Sequence, residues 1–454
     1  MLIFKNIGFK FTPARIIAIS FLVAIIIGGT LLSLPFSQNR PVHIINAFFT
    51  ATSAVCVTGL TVVDTAKDYS LIGQIIILIL IQVGGLGIMT FSTFFLVALG
   101  RKLGAEQQNL FELTLTPSKS TDLVRLVFSI FKMTIVIELI GAIILYILWP
   151  KNLYPNAIWH SMFQSVSAFC NAGLSTLSGN LEDIKGYTSI HIVMSLLIIL
   201  GGFGFIVLDN LRRSIRRKGN LWDKFALQTK LVLTMSGALI LSGTLIIFLI
   251  EHNNALKEFR FFDQLSHSYF QSVTTRTAGF NTVTINKFST APLFYMVFLM
   301  FIGGSPGSTA GGIKTTTFAI MIIAFLALRK NRRKIEVFKR TIPQEIVNKA
   351  LTVLALCAFT ILFLLFLLTI TERYDIFPNQ PHGYFFPLLF ESVSAFCTVG
   401  LSLGITPYLT FAGKIIIMLL MYIGRIGPLT FALAITTKEE QLKYSYPEER
   451  IMVG

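Results

Sequence analysis

The chain has 454 residues, 54% of them hydrophobic and 13% charged. Soluble proteins carry about 25% charged residues, so this composition excludes an ordinary water-exposed domain and points to lipid as the solvent. The net charge of +16 raises nucleic acid as a partner, but no base-reading or aromatic pattern accompanies it, and nucleic acid is set aside.

Spanning a bilayer by helix takes about 20 apolar residues. Taken in chain order, the first such window is Ala14 to Leu34. It is too long for a secretory signal, and Leu34-Pro35-Phe36 follows instead of a small-residue cleavage site. A short semi-polar helix over Asn46 to Val55 comes next, then the stretch TSAVCVTGLTV (52–62), then a second window over Ser70 to Leu99. The same order recurs with Leu123 to Trp149, a short helix over Trp159 to Phe169, SVSAFCNAGLS (165–175) and Ile190 to Leu208. Leu231 to Ile250 precedes SVTTRTAGFNT (272–282) and a window from Pro292 to Leu328 that is broken in its middle. Ala350 to Ile370 precedes SVSAFCTVGLS (392–402) and Lys414 to Ile435. That makes eight expected spans.

The four short stretches align on one glycine each: Gly59, Gly173, Gly279 and Gly400, spaced by about 110 residues. A second glycine-rich mark follows each by about 25 residues: Gly84-Gly85-Leu86-Gly87, Gly201-Gly202-Phe203-Gly204, Gly303-Gly304-Ser305-Pro306-Gly307 and Gly424-Arg425-Ile426-Gly427. The third unit is one residue shorter before its glycine. The expected domains are therefore 1–100, 101–218, 219–340 and 341–437, with a tail at 438–454. Two spans per unit make the repeats parallel, and four parallel repeats imply a pseudo-fourfold axis with a pore on it.

The positive residues fall in alternate loops. Arg212, Arg213, Arg216, Arg217, Lys218 and Lys224 lie in one, and Arg329, Lys330, Arg332, Arg333, Lys334, Lys339 and Arg340 in another. The positive-inside rule then places both termini and these loops in the cytoplasm. The loops, with 101–122, are candidate docking surfaces or solvated segments that only set topology. Cys56, Cys170, Cys357 and Cys397 contain no CxxC pair, so zinc and redox motifs are excluded.

A helix of about 12 residues rises about 18 Å and cannot cross a core of about 30 Å. It can enter and return, provided its non-helical backbone is buried or lines water. A glycine readily takes φ > 0, which lets the returning carbonyls face the axis. Four such turns form a ring of oxygens able to replace a cation's hydration shell. The helices' negative C-terminal ends favour the same charge. The expected ligands are backbone oxygens of Val57, Thr58 and Gly59; Asn171, Ala172 and Gly173; Thr277, Ala278 and Gly279; and Thr398, Val399 and Gly400. Val57 stands where the other units have polar residues, so side chains there are not the ligands.

The stretch Gly303, Gly304, Ser305, Pro306, Gly307, Ser308, Thr309, Ala310, Gly311, Gly312 cannot remain helical. It reads either as a packing kink or as a mobile gate below the ring. Arg425 lies at the same depth, and an intramembrane Arg is costly and functional by default. It either faces the pore and bonds the gate loop or is satisfied by helix-end carbonyls. Lys314 is a second candidate for that role. Arg276, three residues before Gly279, braces the ring through carbonyls or through Glu391. No clustered carboxylates, Ser/His pair or metal set lies in the spans, so an enzyme is not expected.

With these units and the break GGSPGSTAGG in view, the sequence resembles the Trk/Ktr/HKT superfamily of potassium transporters over essentially its whole length. It is most like bacterial Ktr membrane subunits, lacking an extra N-terminal helix pair before the first unit. The first ring position is Gly59 and not Ser, unlike some plant members that favour Na+. The resemblance implies an all-α membrane protein of four M1–P–M2 units, with eight transmembrane and four re-entrant pore helices. It implies K+ uptake across the plasma membrane, with Na+ as activator and no organic cofactor in this chain. It also implies a homodimer seated on a cytosolic ring of nucleotide-binding RCK subunits. An ion-coupled symporter with alternating access is the alternative.

Overall fold

A computed structural model describes residues 13–87, 120–216, 218–331, 334–372 and 383–435. The second half of the Ser70 to Leu99 window, most of the 101–122 segment, Arg217, Arg332, Arg333 and the 438–454 tail lie outside these residues.

The chain is predominantly helical. It runs α1 (Pro13–Ser33), α2 (Ile44–Val55), α3 (Leu71–Leu86), α4 (Ser120–Leu148), α5 (Ala157–Phe169), α6 (Thr188–Phe203) and α7 (Phe205–Ile215). Then come α8 (Leu227–Glu251), α9 (Phe261–Thr274), α10 (Thr290–Phe301), α11 (Thr315–Arg329), α12 (Gln344–Thr371), α13 (Phe385–Phe396), α14 (Phe411–Ile426) and α15 (Pro428–Ile435). The expectation of an all-α chain needs one correction. A small antiparallel hairpin, β1 (Ile335–Val337) with β2 (Arg340–Ile342), sits between α11 and α12.

Among the described residues, four helices are long and apolar enough to cross a membrane: α1, the Val127–Leu148 part of α4, α8 and α12. Their outward faces carry exposed Ile147, Leu241 and Phe359, which only a lipid surround makes favourable. Two windows that read as single spans are each two helices. Ile190 to Leu208 bends by 100° between α6 and α7, and Lys414 to Ile435 bends by 98° between α14 and α15. The cause is local. Gly204 (φ 86°) and Gly427 (φ 92°) close α6 and α14 in a left-handed conformation, as Gly87 (φ 82°) closes α3. With these pairs counted as one, the described residues hold six spans by length and composition. The broken third-unit window is α10 and α11, separated by residues 303–312.

The short helices α2, α5, α9 and α13 are the buried centre. Each carries a fully buried phenylalanine at the equivalent position: Phe49, Phe163, Phe270 and Phe390. The first glycine of the second mark explains how neighbours come so close. A Cβ on Gly84, Gly201 or Gly424 would strike the carbonyl oxygen of Val55, Phe169 or Phe396 respectively, at the C-terminal end of the adjacent short helix. Gly201→Ala is therefore expected to destabilise the protein by more than the ~1–3 kcal/mol of ordinary overpacking, because the obstacle is backbone. A lowered midpoint of thermal aggregation of the purified protein is the measurement. Gly237→Ala, where a Cβ meets nothing within 4 Å among the described residues, should melt as the wild type does.

Candidate functional site: a ring of four glycines

Each short helix ends in a turn and returns through its glycine. The residue two before it is left-handed every time: Val57 (φ 56°), Asn171 (φ 59°), Thr277 (φ 72°) and Thr398 (φ 51°). Strain of this kind at non-glycine positions persists only where surroundings impose it. The glycines follow with φ of 96°, 66°, 76° and 88°. A hydroxyl on the short helix holds each turn. Ser53 Oγ accepts from Gly59 N at 3.0 Å, and Ser394 Oγ accepts from Gly400 N at 3.1 Å. Ser167 Oγ donates to Leu174 O and Thr274 Oγ1 to Phe280 O, both at 2.6 Å. Nothing in the sequence motifs singled out these four residues, although the repeat alignment sets a hydroxyl in that column of all four stretches. The missing residue in the third unit is absorbed in the turn: Ala278 N bonds the carbonyl four residues back, whereas Thr58, Ala172 and Val399 reach five back.

The four strands meet head to tail. A Cβ on Gly59 would lie 2.6 Å from Ala172 O, on Gly173 2.8 Å from Ala278 O, and on Gly279 2.6 Å from Val399 O. A Cβ on Gly400 would come closer still to Thr58 O, which closes the circle. Each glycine thus has the preceding residue's carbonyl of the next strand against its Cα, and only a residue without Cβ fits.

The ring opens on one side into a mouth of about 570 Å³. All four glycines line it, together with Thr61, Ser175, Asn281 and Ser402, the polar residues two positions on. Its charged lining residues are Asp64 and Glu182, both acidic, which raises the local concentration of cations. Burial pushes the Glu182 carboxyl above the usual carboxylate range, with Thr284, Lys287 and Lys185 pulling the other way.

On the other side, residues 303–312 pass directly beneath the strands. Ser305 N donates to Gly202 O at 3.0 Å, Phe205 N to Gly307 O at 2.9 Å, and Thr309 Oγ1 to Phe169 O at 3.3 Å. A Cβ on Gly303 would meet Thr277, and on Gly311 Thr398. The segment is stitched to its own helix ends through Gly303 N to Ile313 O at 2.9 Å and Thr315 N to Gly304 O at 3.0 Å. Arg425 donates from Nη1 to Thr309 O and from Nη2 to Gly84 O and, at 3.5 Å, to Gly85 O. One guanidinium therefore ties this segment to the end of α3. Lys314 Nζ donates to Ala310 O at 2.7 Å, so it closes the segment on itself.

Two side chains sit otherwise than expected. Arg276 donates to Ser236 Oγ on α8 at 3.0 Å. Glu391 takes up Ser402 and Thr406 instead of Arg276. The pairing of Arg276 with Glu391 is therefore corrected: the arginine reaches Ser236 on α8, while Ser402 and Thr406 both bond Oε1 of Glu391. Glu138, within α4, accepts from Gln82 Nε2 on α3 at 3.2 Å.

The family model described as TrkH, cation transport protein, matches residues 5–446. The chain belongs to the TrkH family. This is a family of cation transport proteins and not of enzymes. Within it, the chain is 40% identical to Ktr system potassium uptake protein B of Bacillus subtilis over 98% of its own length and 97% of the relative's. It is 39% identical to potassium/sodium uptake protein NtpJ of Enterococcus hirae over 99% of both. The crystal structure of the potassium transporter TrkH from Vibrio parahaemolyticus shares its fold, with a TM-score of 0.72 at 19% identity over 95% of this chain and 86% of that one. This TrkH-family chain is thus a membrane protein whose ring, mouth and underlying segment sit together at its centre.

Proposed function

We propose that this chain takes up potassium across the plasma membrane through a channel-like pore on the axis of the four-glycine ring. The observation that carries this is the closed ring itself, with four glycines at positive φ and a neighbour's carbonyl against each. In this reading the chain is four parallel M1–P–M2 units, bounded at 1–100, 101–218, 219–340 and 341–437. The backbone oxygens of Val57 to Gly59, Asn171 to Gly173, Thr277 to Gly279 and Thr398 to Gly400 replace the ion's water. Residues 303–312 are the gate, and Arg425 both latches it and places a positive charge in the path of cations. Two relatives named for potassium uptake cover nearly the whole chain, which supports potassium as the cargo. The second of them is named for potassium and sodium uptake, which supports Na+ as activator. The name "Ktr system" of the first supports a complex with other subunits; in this reading a homodimer of this chain docks on a cytosolic nucleotide-binding RCK ring. Both termini and the basic loops then face the cytoplasm.

The test is Rb+ uptake into liposomes holding the purified protein, with and without Na+ and with an imposed K+ gradient. A pore runs down its gradient alone and is expected to admit Rb+ without a coupling ion, Na+ raising the rate. Strict stoichiometric coupling to Na+, at a slow carrier-like turnover, would favour alternating access instead.

A further inference from the structure

The polar residue two positions after each ring glycine is not held in the same way. In the second strand Ser175 Oγ accepts from Gln164 Nε2 at 2.5 Å, a buried group on the short helix behind it. In the fourth strand Ser402 donates to Glu391, again buried and behind. In the third strand the equivalent buried residue, Gln271, has no hydrogen-bond partner among the described residues at either side-chain atom. Asn281 has turned the other way. Its Nδ2 donates to Glu182 Oε1, and Thr284 Oγ1 donates to Glu182 Oε2 at 2.6 Å. Glu182 belongs to the loop that follows the second strand, about 100 residues earlier. The same loop sends Asn180 Nδ2 to Gly279 O at 3.4 Å, with Asn180 Oδ1 fixed by Leu181 N at 2.9 Å.

We infer that Glu182 is the positioning residue for the third ring strand, and that its ionised carboxylate makes cation uptake sensitive to pH on the mouth side. This rests on the potassium-uptake reading above and deepens it. The physical basis is an asymmetry of access. The second and fourth strands are braced by groups that water does not reach. The third is braced from the front by a half-buried carboxylate in the wall of the mouth. Glu182 also borders a side cavity of about 370 Å³, shared with Lys185, Glu258 and Lys287. Protons therefore reach it from two openings.

The ionised carboxylate is acceptor-only and satisfies two donors at once. A protonated carboxyl has an O–H to place, and the Asn281 amide nitrogen cannot accept it. Thr284 Oγ1 can turn to accept it, but both contacts then lose the charge that makes a hydrogen bond to an ionised group about twice as strong, and the hold on the strand carrying Gly279 weakens. Protonation also removes one of the two negative charges lining the mouth. The charged and titratable groups around Glu182 are Asp183 and Lys185 on its own loop, Lys287 on the turn after the third strand, and Glu258 across the side cavity. Asp64 stands across the mouth, and His267 lies behind Thr282, bonded through Nδ1 to its Oγ1 at 2.9 Å.

The experiment is Rb+ uptake by the full-length protein in liposomes at mouth-side pH 5 to 8, recording KM and maximal rate separately. For the wild type the KM for Rb+ is expected to rise at least about threefold as pH falls and the carboxylate protonates. Glu182→Gln should show the raised KM at every pH and a flat profile, while Glu182→Asp restores part of the pH dependence. Thr284→Val, which removes one partner from the other strand, should raise KM in the same direction, so the idea survives a failure of one variant to fold. A Glu182→Gln protein with the wild-type KM and pH profile would overturn the inference, as would a loss of maximal rate alone. A wild type that admits no Rb+ would instead overturn the potassium-uptake reading. Glu182 is then tested by the Rb+-induced rise in melting temperature, which must fall with pH in the wild type and not in Glu182→Gln.

Discussion

Gly400→Ala is expected to reduce Rb+ uptake by at least about a hundredfold, at normal levels of membrane-inserted protein, a loss equivalent to about 3 kcal/mol. Two costs combine. A side chain in the left-handed region costs about 1–2 kcal/mol by itself, and Gly400 has φ 88°. The added Cβ also meets Thr58 O, which is backbone of the first strand and cannot swing aside. Relieving the clash means moving either the Gly400 strand or the Thr58 carbonyl, and each displaces an oxygen proposed to bind the ion. The same argument ranks the ring. Gly59 and Gly279, with the carbonyl 2.6 Å from the added atom, should suffer more than Gly173 at 2.8 Å. Gly186→Ala is the control, since a Cβ there meets nothing within 4 Å among the described residues. Growth of a potassium-uptake-deficient strain on low K+, alongside Rb+ flux, reads both. Wild-type flux and wild-type K+ over Na+ preference in all four variants would refute the ring as the selective element.

Arg425→Ala is expected to raise basal Rb+ flux, measured without any cytosolic partner, by about tenfold. The guanidinium donates to Thr309 O in the segment beneath the ring and to Gly84 O and Gly85 O at the end of α3. Hydrogen bonds from a charged donor contribute about 1.5–3 kcal/mol each, so their loss frees the segment and also removes a positive charge from the path. The remaining contacts to Gly201, Gly202 and Phe205 keep it near its place, which limits the gain. Arg425→Lys should give an intermediate flux, because an ammonium lacks the planar fork that reaches both sides at once. A flux unchanged or lowered in Arg425→Ala, at normal insertion, would show that the segment does not limit passage.

Much of this architecture is legible in the amino-acid sequence. Four glycines in four aligned stretches announce a repeated turn, because the requirement for a missing Cβ is local and recurs at one spacing. The break at 303–312 is equally visible, since five glycines and a proline cannot stay helical. The intramembrane Arg425 stands out because charge in that setting is rare. The hydroxyls of Ser53, Ser167, Thr274 and Ser394 lie in plain view in the same columns but carry a meaning only once their strand partners are known.

Other features depend on distance along the chain. Composition and periodicity alone determined a lipid-embedded helical chain, its short interrupted helices and the glycines that turn them, because apolar length and backbone freedom are properties of neighbours in sequence. The tertiary structure decided the 98° and 100° bends at Gly427 and Gly204, where the same glycine could have continued a straight packed helix. It decided that Arg276 turns to Ser236 while Glu391 is taken by Ser402 and Thr406. It also decided that Glu182 holds a strand about 100 residues away. A carboxylate chooses its donors by proximity in space, and proximity between distant segments follows from how the whole bundle packs, which no local pattern encodes.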